Sequence, residues 1–401
     1  MRCLTSLELY LNYPAEKVIE TKGIEDTTAG MYPCYYARQH GKIKVSTSVT
    51  SLIFELGDFE LNPSFRPPNW LEKTSFEKVA SLKPPNLLKK MPFLEKIRNA
   101  VLPFKIAGKR NWYETWETID KRISKLKPFE KITPQGSAFT FKPDFTLKDK
   151  EILIEKTVRY LKKFVNDVEG QFPNYDHIVM TGGKDSQLIN LIPKLNEQRW
   201  HIFSAEPNFS LVKKWVKENN VPVNEIFTHD NKNEENLKDL KRKIICSDLY
   251  SNPEGIKWLP TLKKISEKFG GNCIFWGGGG ADDIYSKHDS LCAQSKEEYF
   301  KKRFSGVFCW YGNYHQSFKN FVGSPLLSVY YSKGIWENAY RHYTPTIIEK
   351  DMDLRDEIGK RLAGREIKWL NENPTPKEYK YSFRIGTYNF YKKYIEKYTP
   401  R

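Results

Sequence analysis

The pattern of apolar and polar positions changes partway along the chain. Up to about residue 60 short β-prone runs dominate, and two of them flank Gln39-His40-Gly41, which predicts a hairpin within 31–56. Residues 148–168 instead repeat apolar side chains every three or four positions, which predicts an amphipathic helix. We therefore expect a domain boundary near residue 148.

From residue 177 onward, short apolar runs alternate with amphipathic segments, as strands alternate with helices in α/β proteins. The predicted strands are 177–180, 199–205, 224–229 and 272–276. This alternation implies a parallel sheet with helices on both faces, and ligands of such sheets bind at the carboxyl ends of the strands. The expected fold class is α/β, with a smaller β-rich domain over 1–148 and a parallel-sheet domain with a helical C-terminal lobe over 149–401.

Composition narrows the class of protein. The 401 residues are 39% hydrophobic and 14% aromatic, enough for a sizeable core, so wholesale disorder is not expected. The sequence contains no apolar run of about eighteen residues, and its first segment is a poor signal peptide, so we expect a cytoplasmic protein with no membrane span. The six cysteines form no C-x-x-C pair, which favours free thiols over a metal site or a disulfide framework.

The net charge of +16 favours acidic partners such as nucleotides, nucleic acid or anionic small molecules. Residues 83–127 carry twelve Lys and Arg against four Asp and Glu, and residues 377–401 carry seven against two, with aromatic residues interleaved in the tail. Basic segments with aromatic residues can bind single-stranded nucleic acid, but they are more often solvated helix faces. Nucleic acid is therefore the less favoured partner.

The segment Thr181-Gly-Gly-Lys-Asp-Ser186 follows the first predicted strand and opens a predicted helix. It is not a Walker P-loop, because Asp185 stands where Ser or Thr is required and no glycine lies five positions before Gly183. A dinucleotide fingerprint fails as well, because Gly277-x-Gly279 leads to an aspartate where the third glycine should stand. Neither Walker-type phosphoryl transfer nor hydride transfer from a nicotinamide is expected.

The same segment has the features of an anion site. Gly182 and Gly183 allow a tight turn and a close approach to a ligand, and the first N–H groups of the helix have no partner within it. The hydroxyls of Thr181 and Ser186 can donate to phosphate oxygens, and Lys184 adds a positive charge. The sequence therefore predicts a phosphate cradle.

Asp185 would repel phosphates unless a Mg²⁺ ion lay between them, because Mg²⁺ is commonly shared by carboxylates and phosphate oxygens. A second carboxylate is then expected nearby, and Asp282 supplies it after four glycines at the end of another predicted strand. The alternative is that Asp282 only caps the helix after the turn. We expect Asp185 and Asp282 to share one Mg²⁺.

These motifs resemble a known family. "TGGKDS" resembles the S-G-G-x-D-S loop of the PP-loop ATP pyrophosphatases, and "GGGGADD" resembles the G-E-G-A-D-E motif of asparagine synthetases. "MYPCYYARQHGKIKVSTSVTSLI" and "ITPQGS" resemble segments of the glutaminase domain of that family. The chain is thus similar to asparagine synthetase-like amide ligases, and the likeness of its synthetase half covers about 150–370.

The N-terminal domain of that family is an Ntn (N-terminal nucleophile) glutaminase, which needs cysteine at position 2. Here Arg2 occupies that position and Cys3 comes one place late. The resemblance therefore implies a degenerate glutaminase-like domain without glutamine hydrolysis. The same arrangement is found in β-lactam synthetases and lasso-peptide cyclases.

The resemblance also implies roles for individual residues. Lys368 and Lys380 are the candidates for a catalytic lysine in the C-terminal lobe. Gly279 replaces the glutamate of G-E-G-A-D-E, so asparagine synthesis itself is not expected. The expected nucleotide-binding residues are Thr181, Gly182, Gly183, Lys184, Asp185 and Ser186, the adenine-contacting Phe203, Ser204 and Ala205, and Gly278, Gly279 and Gly280.

The expected activity is that of a biosynthetic ATP-dependent amide-bond-forming ligase. It would adenylate a small-molecule or peptide carboxylate with ATP and Mg²⁺, release pyrophosphate, and transfer the acyl group to an amine donor with release of AMP. Two alternatives stay open: a PP-loop enzyme that adenylates a base oxygen in nucleic acid, and a non-catalytic binding protein. A homodimer is also left open.

Overall fold

The computed structural model describes most of the two predicted domains. The described residues are 3–57, 60, 62, 118, 120–141, 149–205, 208–229, 258–281, 315, 318–342 and 354–369. Asp282, Lys380, the tail 377–401 and most of 83–127 lie outside these ranges.

Strands before residue 140 form two four-stranded sheets. The first has the order β1 (Cys3–Thr5), β3 (Gly23–Glu25), β7 (Glu130–Thr133) and β8 (Gly136–Phe139). The second has the order β2 (Ile19–Thr21), β5 (Lys42–Ser46), β4 (Tyr35–Gln39) and β6 (Ile123–Lys125). Apart from the parallel pair β1–β3, neighbouring strands of both sheets run antiparallel.

The predicted hairpin is confirmed as β4 and β5, with His40 and Gly41 at positive φ in the turn. Its extension to residue 56 is wrong, because helix α2 (Val49–Leu56) begins after Ser48, whose hydroxyl accepts the N–H of Ser51. The cap and the burial of the α2 apolar side outweigh the β propensity of its Val, Thr and Ile residues.

A second helix, α1 (Ser6–Asn12), interrupts the β-rich start of the chain. It opens with a capping box, in which Thr5 and Glu8 each accept the backbone N–H of the other. The start of the chain is therefore β-rich, as expected, with α1 as a helix that the sequence analysis did not predict.

The third sheet contains five parallel strands. They are β9 (Asp176–Met180), β10 (Trp200–Ala205), β11 (Ile226–His229), β12 (Cys273–Trp276) and β13 (Leu326–Leu327), and their spatial order is β11-β10-β9-β12-β13. All four predicted strands are confirmed, and the two-residue β13 is an addition. The chain moves outward from β9 to β11 and then returns to the other side of β9, so β9 and β12 are neighbours at a topological switch point.

Helices cover both faces of this sheet. They are α3 (Lys150–Gln171), α4 (Lys184–Asn190), α5 (Phe209–Glu218), α6 (Leu259–Lys268), α7 (Lys333–His342) and α8 (Arg355–Ala363). One core contains side chains of every one of these helices except α6, among them Leu161, Leu188 and Trp336. A second core joins Leu262 of α6 to Phe275 on the opposite face. The predicted α/β class with helices on both faces is thus confirmed.

The first core also contains side chains from both sides of residue 148, such as Tyr32, Phe129 and Leu161. Tyr10 donates its hydroxyl to His315 O (3.1 Å) and accepts the N–H of Leu326 (3.0 Å).

In the described part of the chain, no helix is long and apolar enough to cross a membrane.

Candidate functional site

Two glycine-rich turns meet at the switch point. The first turn, residues 181–186, follows β9, and the second turn, residues 277–281, follows β12. A Cβ on Gly278 would lie 2.5 Å from Ser186 N and 2.8 Å from Asp185 Cβ, so the backbones of the two turns are in direct contact. The structure therefore brings together the two motifs that the sequence placed at strand ends.

The first turn is closed by its own residues. Ser186 Oγ donates to Gly183 O (3.0 Å) and accepts the N–H of Gly182 (3.1 Å). Thr181 Oγ1 donates to Val179 O (3.2 Å). Both hydroxyl protons are therefore engaged inside the protein, so in this arrangement these side chains shape the turn and do not point their protons at a ligand.

Asn190 joins the two ends of the first turn. Its side-chain amide donates to Thr181 Oγ1 (2.8 Å) and to Ser186 O (3.1 Å). The residue is buried, and its amide reaches back to Thr181, directly after β9. Sequence reasoning missed Asn190, although its place four residues after Ser186 on a short helix was a usable signal.

Asp185 contacts a cationic side chain. The guanidinium of Arg355, the first residue of α8, donates to Asp185 Oδ1, and the side chains are 13% and 20% exposed. Tyr330 donates its hydroxyl to Asp185 O (2.6 Å). Sequence reasoning missed both partners, because they lie more than 140 residues away along the chain.

Lys184 also pairs with α8. Its ammonium lies 2.8 Å from Asp356 Oδ1 and 5.5 Å from the centroid of the Trp369 ring. Consecutive residues of the first turn thus form ion pairs with consecutive residues of α8. These pairs add two ionic contacts between α8 and the turn.

The second turn is held from outside. Ser328 donates its hydroxyl to Gly279 O (2.6 Å), and the Gly277 N–H donates to Leu327 O (2.7 Å). Gly280 has a φ of +98°, and a Cβ there would lie 2.7 Å from the ring of Tyr331. Glycine is required at 280 both by the backbone conformation and by the closeness of the ring.

The predicted adenine-contacting residues occupy the end of β10, beside the first turn. The Thr181 N–H donates to Phe203 O (2.8 Å), and the strand register aligns Phe203 with Met180. Phe203 and Ala205 pack in the core on the α6 face. Ser204 points to the opposite face, and its buried hydroxyl has no hydrogen-bond partner in the described part of the chain.

Gln187 on α4 is fully buried, and within the described ranges neither its amide nitrogen nor its amide oxygen has a hydrogen-bond partner. A buried polar atom without a hydrogen-bond partner costs roughly 1–3 kcal/mol of folding free energy, so its presence in a folded protein calls for an explanation such as a functional role or a bound ligand. Together with Ser204, Gln187 places unmet polar atoms beside the first turn.

Lys368 is exposed, and its backbone is fixed elsewhere. Its N–H donates to Asn219 Oδ1 (2.9 Å) and its carbonyl accepts the Asn219 amide (3.0 Å), which ties it to the end of α5. The neighbouring Trp369, not Lys368, lies against the first turn. The other candidate lysine, Lys380, and the predicted metal ligand Asp282 are outside the described residues.

The donor set suits a hard cation only in part. Among the described residues no three His, Cys, Asp or Glu side chains cluster as a metal site. Asp185 offers carboxylate oxygens at the edge of the first turn, and Mg²⁺ typically takes one or two protein carboxylates and completes its shell with phosphate oxygens and water. Asp185 therefore fits as one ligand of Mg²⁺. The second predicted ligand, Asp282, lies one residue beyond the described range 258–281.

A buried aromatic cluster lies beneath both turns. Trp276 Nε1 donates to His177 Nδ1 (3.1 Å), and the imidazole stacks on Trp200 with 4.6 Å between ring centroids. Burial, assisted by the nearby Lys194, lowers the pKa of His177 to about 3. Burial also lowers the pKa of Lys194 to about 7. A neutral His177 that accepts from Trp276 therefore joins β9 to β12.

Comparison of the sequence with models of known protein families finds no match, and a search of curated protein sequences finds none. The functional assignment therefore depends on the side chains and turns of the site itself.

Proposed function

We propose that this chain is an ATP-dependent amide-bond-forming ligase that releases AMP and pyrophosphate. The observation that supports this most directly is the contact between the two glycine turns, with Gly278 packed on Asp185 and Ser186. Adjacent turns at a switch point form the crevice where α/β sheets bind nucleotides. A shared Mg²⁺ would take Asp185 of the first turn and Asp282, which follows the second turn in sequence.

The N-terminal region would be a silenced glutaminase-like domain. Cys3 lies within strand β1, and its thiol donates weakly to Leu4 O (3.8 Å). Cys3 is an exposed residue, and partial burial of its thiol raises the pKa, which lowers the fraction of reactive thiolate. This supports an amine donor other than glutamine-derived ammonia.

In the proposed reaction the first turn binds the phosphates. Gly182 and Gly183 give the backbone room to approach them, and Ser186 and Asn190 keep the turn closed. The end of β10 at 203–205 would contact adenine. Mg²⁺, when bound, would neutralise phosphate charge, with Asp185 and Asp282 as its protein ligands.

The proposed chemistry consists of two successive substitutions, the first at the α-phosphorus of ATP and the second at the acyl carbon. An oxygen of the substrate carboxylate bonds to the α-phosphorus of ATP while the bond from that phosphorus to the bridging oxygen breaks, and pyrophosphate leaves with the electron pair. The amine nitrogen then bonds to the acyl carbon, AMP leaves with the electrons of the C–O bond, and the nitrogen loses a proton. The protein contributes alignment of the reactants and charge neutralisation.

Exchange of labelled pyrophosphate into ATP tests the proposal. We expect Mg²⁺-dependent exchange with a pool of small carboxylates from cell extract, and loss of at least 100-fold in Asp185→Asn. Asp167→Asn is the matched control, because Asp167 forms only an exposed ion pair with Lys163 on α3. Formation of ADP instead of AMP would overturn the proposal.

The net charge of +16 favours one second candidate, a nucleic-acid-modifying enzyme that adenylates a base oxygen. It predicts RNA or DNA binding whose affinity falls with salt with a slope of several phosphates. Pyrophosphate exchange driven by RNA, and not by small carboxylates, would favour this candidate over the ligase.

A further inference from the structure

Arg355 is the cationic side chain that contacts the first turn at Asp185. From this contact we infer that Arg355 is a catalytic residue that binds the pyrophosphate leaving group. The inference rests on the proposed function and adds to it a residue that neither motif contains.

The position of Arg355 is fixed by packing. Ile358 and Leu362 of α8 are buried in the larger core, and Gly359 allows close packing: a Cβ there would lie 2.4 Å from the Trp369 ring and 3.4 Å from Leu188 of α4. The helix that carries Arg355 is therefore seated directly on the helix that follows the first turn. A rigid seat of this kind holds a guanidinium at one place relative to the turn.

Charge balance indicates what the guanidinium does there. The first turn contributes one positive and one negative side chain, Lys184 and Asp185, and Lys184 already pairs with Asp356 at 2.8 Å. Pyrophosphate carries several negative charges, so the turn alone does not neutralise it. Arg355 pairs with Asp185, so the charges of Lys184, Asp185, Arg355 and Asp356 sum to zero, whereas without Arg355 the set would carry one net negative charge that repels pyrophosphate.

The geometry of the side chain suits the same role. A guanidinium donates in a planar fork that matches phosphate oxygens, and such hydrogen bonds are among the stronger ones in proteins. Arg355 is the stronger candidate, because its side chain contacts Asp185 directly, whereas the contacts described above for Lys368 are backbone bonds to Asn219 at the end of α5. Arg355 therefore takes over the leaving-group role for which the sequence offered only lysines.

Direct binding tests the inference without relying on turnover. Calorimetric titration with inorganic pyrophosphate and with adenosine, each with and without Mg²⁺, would be run on wild type, Arg355→Ala and Arg355→Lys. We expect Arg355→Ala to weaken pyrophosphate binding about 10- to 100-fold and to leave adenosine binding within about twofold. Arg355→Lys keeps the charge but loses the fork, so its loss should be smaller.

Arg361→Ala is the matched control, because Arg361 lies on the same helix and pairs with Glu151 away from the turn. It should bind both probes as wild type does. Thermal melts identify any variant that fails to fold. If Arg355→Ala does not fold, Arg355→Lys decides the question, and pyrophosphate affinity equal to wild type in the folded Lys variant would overturn the inference that the guanidinium fork binds pyrophosphate.

The outcomes separate the inference from the proposed function. If wild type binds pyrophosphate and folded Arg355→Ala binds it equally well, the inference is wrong and the proposed function stands. An equal loss of adenosine and pyrophosphate binding would show a structural role and would also overturn the inference. Absence of both ATP and pyrophosphate binding in wild type would overturn the proposed function itself.

Discussion

The two glycine turns lie side by side, yet they are held in different ways. The first turn is closed from within by Ser186 and Asn190, in the ten-residue stretch 181–190, and Tyr330 and Arg355 add contacts to Asp185 from outside. The second turn is held by Ser328 and Tyr331, which lie about fifty residues further along the chain. A locally closed turn can be recognised from a motif, whereas a turn held from a distance needs the whole fold.

The contact between the turns gives the largest expected effect. Gly278→Ala would place a Cβ 2.5 Å from Ser186 N, so the turns must separate. We expect a loss of about 2–3 kcal/mol in the free energy of unfolding and loss of measurable ATP binding. Urea unfolding and calorimetry measure the two effects.

Gly277→Ala is the matched control for that variant. Its Cβ would make only an ordinary contact, 3.6 Å from Leu326 Cδ1, so stability and ATP binding should stay near wild type. Equal behaviour of the two alanine variants would mean that contact between the turns does not matter.

A pH titration of the unfolding free energy tests the contribution of the buried His177, which joins β9 to β12 beneath the turns. Because the pKa of folded His177 is lowered to about 3 from 6.5, the unfolded chain binds the proton first as pH falls. The part of the folding stability that depends on neutral His177 is fully present above pH 6.5 and is lost progressively between pH 6.5 and 3. We expect a loss of about 2 kcal/mol from pH 7.5 to 5.

The variant His177→Gln should flatten this pH dependence, since glutamine can accept from Trp276 but does not titrate. An unchanged pH profile in the variant would assign the acid sensitivity to other titrating groups.

The smallest effects distinguish local from distant support. Asn190→Ala removes two hydrogen bonds of the first turn and should cost about 1–2 kcal/mol, and Ser328→Ala removes one from the second turn and should cost about 1 kcal/mol. Hydrogen exchange should rise at 182–186 in the first variant and at 278–281 in the second. Faster exchange at both turns in each variant would show that they form a single unit.

These differences also explain what the sequence could predict. The four strands were recognisable because buried parallel strands are short apolar runs bounded by turn residues, and β9 and β12 each end in glycines. Helices α1 and α2 were missed because they have only seven and eight residues, and their caps, not their composition, decide their structure. The roles of Arg355, Tyr330 and Ser328 depend on contacts across more than 45 residues, which no local pattern records.

The prediction for Asp185 also has one part that the sequence could give and one part that depends on tertiary packing. Its place in the turn between β9 and α4 followed from the motif, and the need for a cation next to its carboxylate followed from electrostatics. The identity of the cation that the structure places there, the guanidinium of Arg355, could not follow, because α8 reaches the turn only through tertiary packing. The shared Mg²⁺ stays a prediction.

Hydrogen bonds made by the first forty residues limit how this protein could be shortened. Tyr32 accepts the N–H of Ser328, and Thr27 O accepts the N–H of Lys333. These bonds anchor both ends of the strip of backbone that carries Ser328 and Tyr331. A fragment trimmed to the parallel sheet would lose these bonds and expose that strip to solvent, so residues of the N-terminal region are needed to keep the support of the second turn in place.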